Sequence, residues 1–338
     1  MAEGFDVHRL TGDKEATNPT LQDKCRAVIL DASGIENSAD LRKKLNLPGP
    51  LIDFLTKQFG SDDFFINKED VTAEDISTET YKATCMLDKR NVLLKCIPNR
   101  ILSEENREKI QAWRKKDLKG IQRCLVSFQE GQKEIFILEG GLHGIKDIIG
   151  IMKGKDMRPD EISIWYLMKR VTEILQGLQE KKLQYQELDM SKICITSTGD
   201  VCMYNPIRYI SENPNNDPFA ISESGSSAIY TPPEVISGEQ PTIKSDIWIV
   251  GCVLYEVAMQ KPAYSVTGTD IFASLNEIVE GKMPETLDSE YSKDLQKILT
   301  SCLHVQMQGR PGLETLLQKA EEKLKDGAYD FSKWLQSQ

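Results

Sequence analysis

Within the ten residues QYQELDMSKI, 184–193, two carboxylates and one ammonium stand close together: Glu187, Asp189 and Lys192. A carboxylate in such a place can serve as a general base or simply hydrogen-bond its own loop. Lys192 can neutralise a phosphate or close a salt bridge to Glu187, Asp189 or another nearby carboxylate. Lys95 ends the apolar run VLLK and, taken alone, reads as a solvated strand end. Cys25, Cys85, Cys96, Cys124, Cys194, Cys202, Cys252 and Cys302 are scattered without a C-x-x-C pair. That scatter predicts neither a zinc site nor a disulfide framework and points to a reducing cytoplasm.

These residues need a large folded body to hold them. The 338 residues, 40% of them hydrophobic, suffice for a sizeable core in two domains or one two-lobed domain. A net charge of −10 argues against a general nucleic-acid binder, which neutralises phosphates with surplus Lys and Arg. The N-terminus lacks a basic start followed by an apolar core, so no signal peptide is expected. The run IWIVGCVLYEVAM, from Ile247, is too short for a membrane span, is broken by Glu256, and reads as a buried helix.

The texture changes along the chain. Residues 1–20 mix Gly, Thr, Asn, Pro and charge without period and read as a flexible tail. Across 21–62, Ser38 as a cap for Leu41 and Leu45, and Pro50 before Leu51, Phe54 and Leu55, predict a helical extension. From residue 63 the short runs FFINKEDVT, TYKATCML, NVLLKCI, CLVSF and EIFILEG read as strands. A helix from Ser103 to about Leu118 interrupts them, with Ser103 and Asn106 as candidate caps. Beyond Gly141 the periodicity turns helical over 160–178, 245–259, 271–280, 291–303 and 313–325. At the end, Phe331, Trp334 and Leu335 form an apolar stripe that either packs back on the parent domain or meets a partner. The fold class is α+β, with a small β-rich lobe at 63–139, a larger helical lobe at 143–325, and a tail at 326–338.

VLLKCI, YTPPEVISGEQPTIKSDIWIVGCVLYEVAMQKPAY and QGRP, in that order, give the stretch from Phe64 to Lys325 a likeness to the eukaryotic protein kinases. The spacing from LNEIVEGK to QGRP is most similar to the NIMA-related kinases. The resemblance implies that Glu234 pairs with Arg310 as a structural bridge and that Asp246 opens the buried central helix. It places Lys95 where a kinase lysine reaches the nucleotide phosphates, with Glu108 as its ion-pair partner and Glu104 or Glu105 as alternatives. Leu138 and the turn Glu139 to Leu142 would frame the adenine end.

The same register exposes what is missing. A kinase catalytic loop, H-R-D-x-x-x-x-N, uses its Asp as base and its Asn on Mg²⁺. Here those places hold Glu187 and Lys192, and an ammonium repels the metal. Asn205, Pro206 and Ile207 stand where D-F-G belongs, so the principal metal carboxylate is gone. Ala73, Asp75 and Thr78 replace the glycines of the phosphate loop, and Glu74, Asp75 and Glu79 would oppose a triphosphate. The reading is a pseudokinase without phosphoryl transfer, with no metal site and no requirement for Mg²⁺ or ATP, though weak ATP binding is compatible with Lys95. Its function would be binding, as a scaffold or allosteric regulator of another protein such as an active kinase or a cytoskeletal component. Nucleic acid and membrane are not expected as partners. The competing readings are a divergent Ser/Thr kinase, or a metal-independent ATP sensor, using Lys95, Lys192 and Glu187. The serine-rich segment 211–230 corresponds to an activation loop.

Overall fold

The computed structural model describes residues 64–73, 79–85, 90–102, 104–114, 118–183, 185, 188–209, 228–265, 271–324, 329 and 331–335. The expected tail 1–20, the helical extension 21–62 and residues 211–227 of the activation-like segment 211–230 lie outside these. The chain divides into two compact units. Among the described residues the first holds those up to Leu118, then 122–141 and 205–209; the second holds 119–121, 142–204 and everything from 228 onward.

The first unit is built on an antiparallel sheet of β1 (Phe64–Ala73), β2 (Glu79–Cys85), β3 (Asn91–Pro98), β4 (Cys124–Glu130) and β5 (Lys133–Glu139), in the order β1-β2-β3-β5-β4. Position follows sequence pattern. β3 is buried from Val92 to Pro98 and lies centrally, because all of its buried residues but Lys95 are apolar. Val92, Leu94 and Cys96 point to one face with Tyr81, Ala83, Ile135 and Ile137, forming a core cluster. Their neighbours Leu93, Lys95 and Ile97 take the other face. Helix α1 (Glu104–Trp113) turns Ile110 and Trp113 inward. It ends earlier than its apolar period suggests; Ser103 lies outside the described residues, and Asn106 stands inside the helix rather than before it.

The second unit opens with β6 (His143–Gly144) and α2 (Ile145–Gly154), then the long α3 (Glu161–Glu180), which starts where Asp160 accepts from the Ser163 amide. The hairpin β7 (Ile193–Ile195) and β8 (Val201–Met203) pairs with β6. After α4 (Pro233–Ile236), helix α5 (Ile243–Met259) begins with a capping box between Thr242 and Ser245. Nearly every residue of α5 from Ser245 to Ala258 is buried, so it is the hydrophobic axis of this unit. The chain continues through α6 (Ile271–Val279), α7 (Lys293–Cys302), α8 (Leu313–Leu324) and α9 (Ser332–Leu335). The five expected helices beyond Gly141 thus form, within a residue or two of the predicted ends. Gly251 sets the approach of α5 to α7: a Cβ there would stand 2.8 Å from the Cβ of Cys302.

The C-terminal stripe packs back on its own unit. Phe331 is wholly buried and Trp334 nearly so. Phe331 donates its amide to the Gly199 carbonyl at 2.8 Å, and its ring lies 5.5 Å from that of Tyr166 on α3. Tyr329 joins the same cluster and shares a hydrogen bond with Ser163. No helix among the described residues is long and apolar enough to cross a membrane.

Candidate functional site

In the first unit, Lys95 sits mid-strand with Thr80 and Phe136 as its cross-strand neighbours. Only 1% of it is exposed, so it is a strand-interior lysine and not a solvated strand end. Holding an ammonium there carries a desolvation cost. Glu108 stands on the exposed side of α1, because Ile110 and Trp113 claim the inward face; the structure does not bring Glu108 to Lys95. Glu104 is exposed as well, and the side chain of Glu105 lies outside those described. Glu79, expected to oppose a triphosphate, pairs with Lys133 at 2.7 Å. Glu74, Asp75 and Thr78 lie outside the described residues.

Asn205 is 1% exposed, and its amide is fully engaged. Its Nδ2 donates to the carbonyls of Trp113 at 3.1 Å and Gln122 at 3.0 Å, and its Oδ1 accepts from the Ile207 amide at 3.1 Å. Both donors and one acceptor position of the side chain are therefore spent inside the protein. Its main-chain amide donates to Oε1 of Gln122 at 3.2 Å. Gln122 in turn sends Nε2 to the Glu139 carbonyl at 2.6 Å. A single buried side chain, 2% exposed, thus links Glu139 at the end of β5 to Asn205.

The strand end around Glu139 is closed on itself in other ways. Its amide donates to Arg123 at 2.9 Å, and Gly140 donates to Asn91 at 3.0 Å. Gly140 has to be glycine, since a Cβ would meet the Asn91 backbone at 2.6 Å. The carboxylate of Glu139 pairs with Arg123 at 3.3 Å near the surface, and Leu138 is fully buried. Gln122 is the residue the sequence reading missed. The signal available was a glutamine set among Ile121, Cys124, Leu125 and Val126, a polar residue at the start of an apolar strand.

In the second unit, Lys192 ends a 3-10 turn, Met190–Lys192, and is half-buried. Asp189 caps that turn by accepting from the Ser191 amide at 2.6 Å and from the Ser191 hydroxyl. Tyr204 donates its amide to the Lys192 carbonyl at 2.9 Å, and Tyr185 donates its hydroxyl to the Tyr204 carbonyl at 2.6 Å. Tyr185, two residues before Glu187, serves as a buried brace between two segments. Glu187 lies outside the described residues, and Leu142 is half-buried near β6.

The bridge implied by the resemblance is present. Arg310 grips Glu234 with two hydrogen bonds, Nη1 to Oε1 at 2.8 Å and Nη2 to Oε2 at 2.7 Å. The guanidinium also donates to the carbonyls of His304, Lys244 and Val305 and lies 5.0 Å from the Trp248 ring. Burial works against the charge of Glu234, but hydrogen bonds from Arg310 and Ser245 outweigh it and hold the carboxyl below its ordinary range. Asp246, in the first turn of α5, is buried nearby. Glu256, from the same helix, behaves oppositely: burial, aided by Asp189 and opposed by Lys146, raises it to about 7, and it accepts from the Tyr230 hydroxyl.

Comparison with known proteins agrees with this arrangement. The family described as the protein kinase domain matches residues 77–320. Among similar proteins are the serine/threonine-protein kinase Nek4 of Mus musculus, 24% identical over 200 residues, which is 57% of this chain and 24% of the relative. The G2-specific protein kinase nimA of Emericella nidulans is 38% identical over 88 residues, covering 26% of this chain and 12% of the relative. The probable serine/threonine-protein kinase nek3 of Dictyostelium discoideum is 26% identical over 201 residues, 56% and 18% of the two chains. The chain therefore spans less than a quarter of the length of each of these relatives.

Proposed function

We propose that this chain, which belongs to the protein kinase domain family and is similar to NIMA-related kinases, works as a pseudokinase: it binds another protein as a scaffold or allosteric regulator and does not transfer phosphate. The observation that carries the reading is Asn205. A kinase needs an ionised carboxylate at that place, turned toward a metal that bridges nucleotide phosphates. Here a neutral amide stands there, and its donors are committed to the carbonyls of Trp113 and Gln122. Magnesium requires hard anionic or neutral oxygens in a near-octahedral set. The residues present fit it poorly, because Lys192 offers an ammonium where the likeness puts the second metal ligand, and Asn205 offers a neutral amide in place of a carboxylate, with one of its two acceptor positions taken by Ile207.

At the strand end expected to meet adenine, part of the main chain is engaged within the protein. Adenine recognition needs main-chain donors and acceptors that are open to a ligand. The Glu139 amide and carbonyl and the Gly140 amide all have partners within the protein. Lys95 then acts as a structural residue of the sheet, and the partner is a protein, such as an active kinase or a cytoskeletal component.

A thermal-shift titration of the full chain with ATP, ADP and a non-hydrolysable ATP analogue, with and without Mg²⁺, tests this. A ligand that binds only the folded state raises its apparent stability by mass action. The expected result is no magnesium-dependent shift at millimolar nucleotide. A magnesium-dependent shift that vanishes in Lys95→Ala, together with transfer of a radiolabelled phosphoryl group, would overturn the proposal in favour of a divergent kinase. A metal-independent shift without transfer would favour an ATP sensor.

A further inference from the structure

The hairpin of β7 and β8 sets Cys194 directly opposite Cys202. The flanking pairs show what kind of pairing this is: Thr196 donates its amide to Asp200 at 2.8 Å, and Tyr204 donates to Lys192 at 2.9 Å. Because pair types alternate along an antiparallel ladder, Cys194 and Cys202 fall on the hydrogen-bonded type, whose Cα atoms stand about 5.5 Å apart. That separation is one a disulfide spans without backbone movement. Neither cysteine is disulfide-bonded, and their Sγ atoms lie 3.1 Å apart. The Sγ of Cys194 also donates to the Cys202 carbonyl at 3.4 Å. Cys194 is fully buried, whereas Cys202 keeps 7% of its surface.

We propose that Cys194 and Cys202 are a redox pair, closing to a reversible disulfide when the protein meets a hydroperoxide. Cys202, the less deeply buried residue of the two, gives up its proton and attacks the O–O bond. The sulfur becomes a sulfenic acid, and the displaced hydroxide leaves as water with that proton. Cys194 then attacks the sulfenic sulfur, the S–O bond breaks, and the departing hydroxide takes the Cys194 proton as a second water. One hydrogen peroxide and two thiols thus yield one disulfide and two waters, the two sulfurs supplying the electrons that reduce the O–O bond. The bond staples the hairpin that runs between Lys192 and Asn205, the two degenerate positions. Nucleotide plays no part in it.

The sequence makes the test direct. Lys192 and Arg208 bracket both cysteines with no other Lys, Arg or Cys between them, so trypsin releases 193–208 as one peptide. The folded full chain is treated with hydrogen peroxide, quenched in acid, unfolded, alkylated with N-ethylmaleimide and digested. The expected peptide is lighter by two hydrogen atoms, carries no adduct, and gains two adducts after dithiothreitol. The oxidised protein also melts at a higher temperature, a rise absent from Cys194→Ser and from Cys202→Ser. Two adducts on the peptide while methionines elsewhere are oxidised would overturn the inference. So would sulfinic acid at Cys202, or either cysteine bridged to a third.

Discussion

Asn205 and Gln122 are joined by two hydrogen bonds: the Asn205 amide group donates to the Gln122 carbonyl at 3.0 Å, and the Asn205 backbone N–H donates to Gln122 Oε1 at 3.2 Å. The pair fastens Asn205 in the interior of the first unit. Its geometry depends on Asn205 being a donor, which an aspartate is not.

Restoring the kinase residue should therefore harm the protein. In Asn205→Asp a carboxylate oxygen would face the carbonyls of Trp113 and Gln122, and a buried charge left without a partner costs about 3–5 kcal/mol. Urea unfolding of the variant should show a loss of that size, and no phosphoryl transfer should appear. A variant as stable as the parent would mean the site tolerates a charge and that Asn205 is not a fastening.

Arg310→Ala isolates a second buried carboxylate. The side chains of the pair are 0% and 5% exposed, and removing one partner from such a bridge costs about 3–5 kcal/mol. The pH dependence should change sign. In the parent, Glu234 is held below its ordinary value of 4.5, so its stabilising contribution is complete above that pH and is lost as pH falls through the lower folded value. In the variant the desolvated carboxylate favours its proton, so acidification should recover part of the loss, as denaturation midpoints across pH will show.

Glu256 predicts a different pH profile. Its folded pKa of about 7 lies above the ordinary 4.5, so the folded state holds the proton more tightly. Stability from this group is present below pH 4.5 and is lost as pH rises to 7. Glu256→Gln keeps an acceptor for Tyr230 and removes the charge, so it should stabilise the protein above pH 7 by up to about 3 kcal/mol and flatten the slope between those values. Equal slopes in parent and variant would contradict this.

Phe331 anchors the C-terminal segment to α3 and to the β7–β8 turn. Truncating a fully buried aromatic costs about 3–5 kcal/mol, so Phe331→Ala should lower the urea midpoint by a large margin. A near-neutral result would show that the tail contributes nothing to the second unit.

The five β-strands of the first unit and the five helices at 160–178, 245–259, 271–280, 291–303 and 313–325 were legible in the sequence, whereas the caps at Asp160 and Thr242 emerged only in the structure. Each of those strands and helices depends on neighbours a few residues away or on a pattern read in line: alternation of period 2 or helical period. The bridge from Glu234 to Arg310 was legible through the likeness to kinases, because the two residues stand in two characteristic motifs.

Only the tertiary structure decided which of those residues meet. Glu108 was a reasonable partner for Lys95 by spacing, but the rotation of α1 is set by burial of Ile110 and Trp113, and that turns Glu108 to the surface. Gln122 lies 17 residues from Glu139 and 83 from Asn205, and no local period connects them. A long-range hydrogen bond between buried amides forms because the alternative, an unpaired polar group away from water, costs more than ordering the side chain. The facing sulfurs of Cys194 and Cys202 depend likewise on hairpin register, which shifts every side chain to the other face with a slip of one residue. Residue types determined which side chains stand at the positions likened to kinase motifs, and packing determined what Asn205 and Lys95 meet there.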